Sequence, residues 1–177
     1  YMLGKKPFPF DLLYWNQDST RMAAANHNFY LREFYHENCL AQGRMMMAGV
    51  KLDLKKVKLP VYELATKEDH IAPAKSVYQG AQTFGGDVEF VLSGSGHIAG
   101  VVNPPEKVKY QYWTDGKRGA KTLDAWLATA KEHPGSWWPL WAEWLHEHSG
   151  EWTVPRDPGE HLGTVEDAPG RYVKVKS

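Results

Sequence analysis

Lys58-Leu-Pro-Val-Tyr-Glu-Leu-Ala65 and Asp87-Val-Glu-Phe-Val-Leu92, with the segment from Pro73 to Gly86 between them, decide the fold. Each run is short, apolar and rich in β-branched or aromatic residues, the pattern of a strand buried in a sheet. Pro60 is compatible with the first run only near its start, because it cannot donate to a ladder. A loop, Thr66-Lys-Glu-Asp-His-Ile-Ala72, leads to Pro73, which suits the first position of a helix. Ala74, Val77, Tyr78, Ala81 and Phe84 then recur at helical spacing, and Gly85-Gly86 closes the helix. The segment reads as a βαβ unit with parallel strands and a right-handed crossover. The fold class is α/β.

Working outward, Val108-Lys-Tyr-Gln-Tyr-Trp113 alternates as a strand would and ends at Asp115-Gly116. Thr122 is placed to cap a helix bearing Leu123, Trp126, Leu127 and Ala130 on one stripe. Ser136 is placed to cap another, with Trp137, Trp141, Trp144 and Leu145 as a core stripe and Pro139 in the first turn. Residues 21–42 read as a helix capped by Ser19 or Thr20, ending near Gly43 and Met45-Met-Met47. Residues 1–20 read as a loop whose Phe8, Phe10, Leu12, Leu13, Tyr14 and Trp15 need cover from water. After Gly150 an irregular Pro/Gly-rich tail is expected, with a short Tyr172-Val-Lys-Val175 strand. There is no internal repeat.

The 177 residues amount to about one domain. At 42% hydrophobic and 13% aromatic residues, the chain can bury a core. Twenty-one basic residues balance 21 acidic ones, which argues against a nucleic-acid partner. No apolar run approaches the ~18 residues of a membrane span, and the start lacks the pattern of a signal peptide. The single cysteine, Cys39, can form neither an internal disulfide nor a zinc-type cluster, which fits a reducing, cytoplasmic setting. The first residue is Tyr rather than Met, so the chain is expected to begin inside a longer protein.

In open α/β sheets, ligands bind at the carboxyl edge of the strands. The loop after the first strand carries Asp69 and the loop after the second carries His97, the later members of a nucleophile–acid–histidine order. A histidine with a pKa near ~6.5 can take and return a proton at neutral pH. A buried carboxylate fixes its tautomer and stabilises the imidazolium. Gly94 and Gly96 are expected to give the backbone freedom that aims His97 across the edge. A loop histidine alone is more often structural, and an aspartate before a helix can simply serve its N-terminus; the two on adjacent strand ends favour catalysis. Glu68 is expected to face water, and His70 to support the site as a neighbour.

Other motifs are weaker. Gly94-Ser-Gly-His-Ile-Ala99 matches a dinucleotide fingerprint, yet Asn103-Pro-Pro105 leaves no crossover helix. His146 and His148 do not share a helix face, and there is no H-E-x-x-H, so no metal site is expected. Lys51, Lys55, Lys56 and Lys58 read as solvated charge. Cys39 falls inside a predicted helix without flanking glycines, as a small buried apolar residue. Neither G-x-S-x-G nor G-x-C-x-G occurs, so a base and its orienter stand without a nucleophile.

Phe10-Asp-Leu-Leu-Tyr-Trp-Asn16 with Asp18 and Thr20, Phe29-Tyr-Leu-Arg32, Glu68-Asp-His-Ile71, Gly94-Ser-Gly-His-Ile-Ala-Gly100 and Pro169-Gly-Arg-Tyr-Val-Lys174 together carry a resemblance spanning nearly the whole chain. The sequence resembles the C-terminal part of a class I polyhydroxyalkanoate synthase. That resemblance implies the C-terminal portion of an α/β-hydrolase fold, with residues 1–45 as a cap and pocket-wall segment and residues 46–177 as the end of the core with its tail. It implies an acyltransferase that polymerises 3-hydroxyacyl-coenzyme A into polyester. Asp69 and His97 match two catalytic residues, and the cysteine nucleophile lies upstream, so the isolated stretch is expected to be inactive. Trp15 matches a residue near the substrate pocket. No cofactor is implied beyond coenzyme A as part of the substrate. The implied partners are the growing polyester, the upstream part of the same protein and a second copy in a homodimer, at the surface of a cytoplasmic storage granule. A lipase-like or polyester hydrolase, and a non-catalytic granule-associated fragment, are the alternative readings.

Overall fold

The structure, a computed structural model, describes residue 4 and residues 19–175. It contains two compact units, one running to Pro139 and the other from Leu140. In the first, α1 (Ala24–Tyr30) runs into a π-helical stretch, Leu31–His36, and then into a hairpin of β1 (Met46–Met47) and β2 (Val50–Lys51). The long helix expected over 21–42 does not form. Ala23 stands at the cap position with no side-chain cap, neither helical stretch has a buried residue, and Asn38 takes a left-handed φ of 47°. Short helices draw most of their stability from a packed face, and this one has none to extend it.

The deciding segment folds as expected. β3 (Val61–Thr66) and β4 (Val88–Ser93) pair in parallel, from Val61 opposite Val88 to Thr66 opposite Ser93, and α2 (Ala74–Ala81) connects them. Pro73 stands one residue before the helix, which ends at Gln82. Gly85 and Gly86 do not cap it; they let the chain pass the Lys55 and Leu59 backbone, where a Cβ on Gly86 would lie 2.8 Å from the Leu59 carbonyl.

β5 (Gln111–Thr114) adds antiparallel to β4. It starts later than expected because Val108 and Tyr110 have positive φ, 43° and 62°. Thr122 caps α3 (Leu123–Leu127) by accepting the Ala125 N–H at 3.2 Å, and Ala130 lies beyond that helix. β6 (Lys131–Pro134), not anticipated, closes the order β3-β4-β5-β6. Its Lys-Glu-His-Pro sequence is polar and ends in proline, as suits an edge strand. The core is aromatic: Phe90 meets Tyr78 edge-on at 4.9 Å and Trp126 at 5.0 Å, and Tyr78 donates to the Ala120 carbonyl at 2.8 Å.

Ser136 accepts the Trp138 N–H at 3.1 Å at the head of α4 (Trp138–Glu147). The expected tryptophan core stripe is not one: Trp137 precedes the helix and is buried, whereas Trp141 and Leu145 are exposed and Trp144 stacks on His148. In the tail, Tyr172–Lys174 forms a 3₁₀ turn instead of a strand. Among the described residues no helix is long and apolar enough to cross a membrane.

Candidate active site

β3 and β4 end level with each other, and backbone hydrogen bonds continue past their ends. Lys67 N–H donates to the Ser93 carbonyl at 2.8 Å and Glu68 N–H to the Ser95 carbonyl at 3.0 Å. The two following loops therefore emerge side by side. Asp69 Oδ1 accepts the Ile71 and Ala72 N–H groups at 2.8 and 2.9 Å, closing its own loop ahead of α2. Asp69 Oδ2 lies 2.8 Å from His97 Nδ1 and accepts the Thr66 hydroxyl at 3.2 Å. The aspartate thus serves the turn before a helix and meets the histidine, with one oxygen for each.

Burial differs across the pair: the Asp69 side chain is 7% exposed and His97 is 44% exposed. Burial pushes the Asp69 carboxyl up, but the Ala72 N–H, the His97 ring and the Ile71 N–H outweigh it and hold the group well below the usual carboxylate range. An ionised carboxylate has no proton to give, so Nδ1 of His97 carries the hydrogen and Nε2 is the basic nitrogen. Nε2 makes no hydrogen bond among the described residues. An anchored anion behind an outward-facing imidazole can move a proton to or from a group brought to that surface.

The loop achieves its path differently from expectation. Ser95, not a glycine, takes the left-handed conformation, at φ 71°. At Gly94 a Cβ would lie a tight 3.0 Å from the Gln111 carbonyl, while Gly96 has ordinary space. Of the three glycines in this loop the tightest is Gly100, where a Cβ would lie 2.6 Å from Thr66 Cγ2 and 2.7 Å from the Gly94 carbonyl. The Gly100 carbonyl accepts the Ser93 hydroxyl at 2.7 Å and Trp137 Nε1 at 3.1 Å. Thr66 and Gly100 were missed from sequence; the Thr-x-x-Asp spacing at the strand end is the local signal for the first.

Glu68 and His70 are exposed, and His70 bonds to neither member of the pair. Trp15 lies outside the described residues. Beyond His97 the chain makes one turn, closed by Val102 N–H to the Ile98 carbonyl, with no crossover helix. Cys39 is buried, in a turn rather than a helix. Hydrogen bonding with Glu33 and burial push its thiol up to about 11, unsuited to a thiolate nucleophile at neutral pH. Lys51, Lys55 and Lys56 are exposed, and His148 Nδ1 bonds the Trp144 carbonyl. Among the described residues, no three His, Cys, Asp or Glu side chains gather where they could hold a metal.

Fold and site define a class: an α/β protein presenting a carboxylate-backed histidine at the carboxyl edge of its sheet. No protein-family model matches the chain. Along its whole length it is 58% identical, over 178 residues, to the poly(3-hydroxyalkanoate) polymerase subunit PhaC of Rhizobium etli, covering 28% of that protein. It is 56% identical to the poly(3-hydroxyalkanoate) polymerase of Methylorubrum extorquens and 41% identical to subunit PhaC of Cupriavidus necator, again along its whole length, covering 29% and 30% of them. The chain belongs to the poly(3-hydroxyalkanoate) polymerase family. It corresponds to the C-terminal part of these relatives and spans less than a third of their length.

Proposed function

We propose that this chain supplies the histidine base and its orienting aspartate to a polymerase of 3-hydroxyacyl-coenzyme A that works by covalent cysteine catalysis. The 2.8 Å contact between His97 Nδ1 and Asp69 Oδ2 carries the reading. On this reading His97 Nε2 takes the proton of a cysteine supplied by another part of the protein. The thiolate attacks the thioester carbonyl, a new thioester forms, and coenzyme A leaves as a thiol with the proton returned from His97. The 3-hydroxyl of a further 3-hydroxyacyl-coenzyme A then attacks the acyl-enzyme, its proton passing to His97. The ester C–O bond forms, the C–S bond breaks, and the departing cysteine sulfur recovers the proton from His97. Asp69 is the poorer base for that step, because donors occupy both its oxygens and hold it ionised well below neutral pH.

The rest of the proposal rests on the resemblance to the family. The mixed sheet is read as the end of an α/β-hydrolase fold of the class I enzymes, and the resemblance assigns residues 1–45 to a cap wall and Trp15 and His70 to the substrate side. No cofactor is used beyond the coenzyme A of the substrate. The complete enzyme is a homodimer at the surface of a cytoplasmic storage granule. Incubating the full-length protein with 3-hydroxybutyryl-coenzyme A tests the reading: thiol release matched by polymer is expected. Thiol release matched by free 3-hydroxy acid, with no polymer, would assign a hydrolase instead.

A further inference from the structure

Thr66 and Ser93 are register partners and the last residues of β3 and β4. Both are buried, at 3% and 0% exposure. Ser93 uses its hydroxyl on Gly100, in the loop that carries His97. Thr66 reaches both loops: its hydroxyl donates to Asp69 Oδ2, and its methyl group abuts Gly100 so closely that no Cβ fits there. Asp69 Oδ2 is the oxygen that meets His97. Without the hydroxyl, Oδ2 keeps only its bond to a ring that is itself half in water, and nothing but the Oδ1 contacts sets the carboxylate's rotation. A second donor on Oδ2 fixes where that oxygen lies before substrate arrives, and catalysis is sensitive to displacements below an ångström.

We propose that Thr66 is a positioning residue for the Asp69–His97 pair: its hydroxyl orients the carboxylate, and its methyl sets the separation of the two loops. The inference rests on the catalytic reading of that pair. The two functions sit on different atoms of one side chain, so substitution separates them. Thr66→Val removes the hydroxyl and keeps the shape, Thr66→Ser keeps the hydroxyl and removes the methyl, and Thr66→Ala removes both.

The test is steady-state coenzyme A release by the full-length polymerase, expressed per folded molecule from circular dichroism, with Asp69→Asn run alongside. Thr66→Val is expected to lower kcat about tenfold, the low end for a hydrogen bond to a charged group, with KM within about twofold of wild type. Thr66→Ser is expected to restore kcat to within about threefold while melting at a lower temperature. Because Ser and Ala differ only in the hydroxyl, a kcat for Thr66→Ser several-fold above that of Thr66→Ala supports the assignment even if Thr66→Val does not fold. Equal kcat for Ser and Ala, or a folded Thr66→Val with wild-type kcat, overturns it while Asp69→Asn remains impaired. If Asp69→Asn itself keeps full activity, the catalytic reading of the pair falls, and the role of Thr66 with it.

Discussion

At Asp69 one oxygen closes the Ile71–Ala72 turn and the other meets His97, so protonating the carboxyl weakens a loop and the Asp69–His97 contact together. The group's folded value lies below its ordinary one. Its contribution to stability is therefore complete above the unfolded value of ~3.9 and is lost as pH falls through the folded value. Thermal melts of the full-length protein and of Asp69→Asn are expected to differ by a constant amount from neutral pH down to about pH 5, and by steadily less as the pH is lowered below about 4 towards the folded value. A gap that persists unchanged to pH 3 would contradict this assignment of Asp69. Both residues of the pair were legible because strand order alone puts their loops on one edge. Thr66 was not, since its importance lies in a cross-loop distance that spacing does not encode.

At the scale of elements, the loop bearing His97 is held by contacts at its far end. Gly100→Ala forces a Cβ against Thr66 and two backbone carbonyls, so it is expected to cost about 1–3 kcal/mol of stability and to lower activity more than tenfold. Gly96→Ala, whose Cβ would meet only the Glu68 carbonyl at 3.8 Å, is expected to melt within about 1 kcal/mol of wild type. Denaturant titration of the two variants checks the contrast, and equal losses would refute it. The sequence had pointed to Gly96 because glycine suggests backbone freedom, whereas the left-handed residue is Ser95. β3, α2 and β4 were readable because apolar period and burial agree. β6 was not, because an edge strand of Lys-Glu-His-Pro has no apolar period. The tryptophan stripe failed for the opposite reason: its period is helical, but Trp137 lies before the helix and packs into the sheet unit.

For the whole molecule, the α/β class and the family were both legible, the first from one βαβ segment and the second from linked motifs along the chain. The chain spans less than a third of its relatives' length and contains neither a G-x-S-x-G nor a G-x-C-x-G pattern, and its one cysteine is a buried thiol pushed up to about 11. The proposed chemistry consequently depends on a proton passing between His97 and a sulfur outside this stretch. The most direct measurement is the rate of coenzyme A release from 3-hydroxybutyryl-coenzyme A by the full-length polymerase carrying His97→Ala or Cys39→Ser, with folding checked by circular dichroism. A positioned base contributes roughly 10²–10⁴ in rate, so His97→Ala is expected to lose at least a hundredfold while Cys39→Ser stays within about twofold of wild type. A folded His97→Ala enzyme with near wild-type release, or a folded Cys39→Ser enzyme with none, would contradict the account.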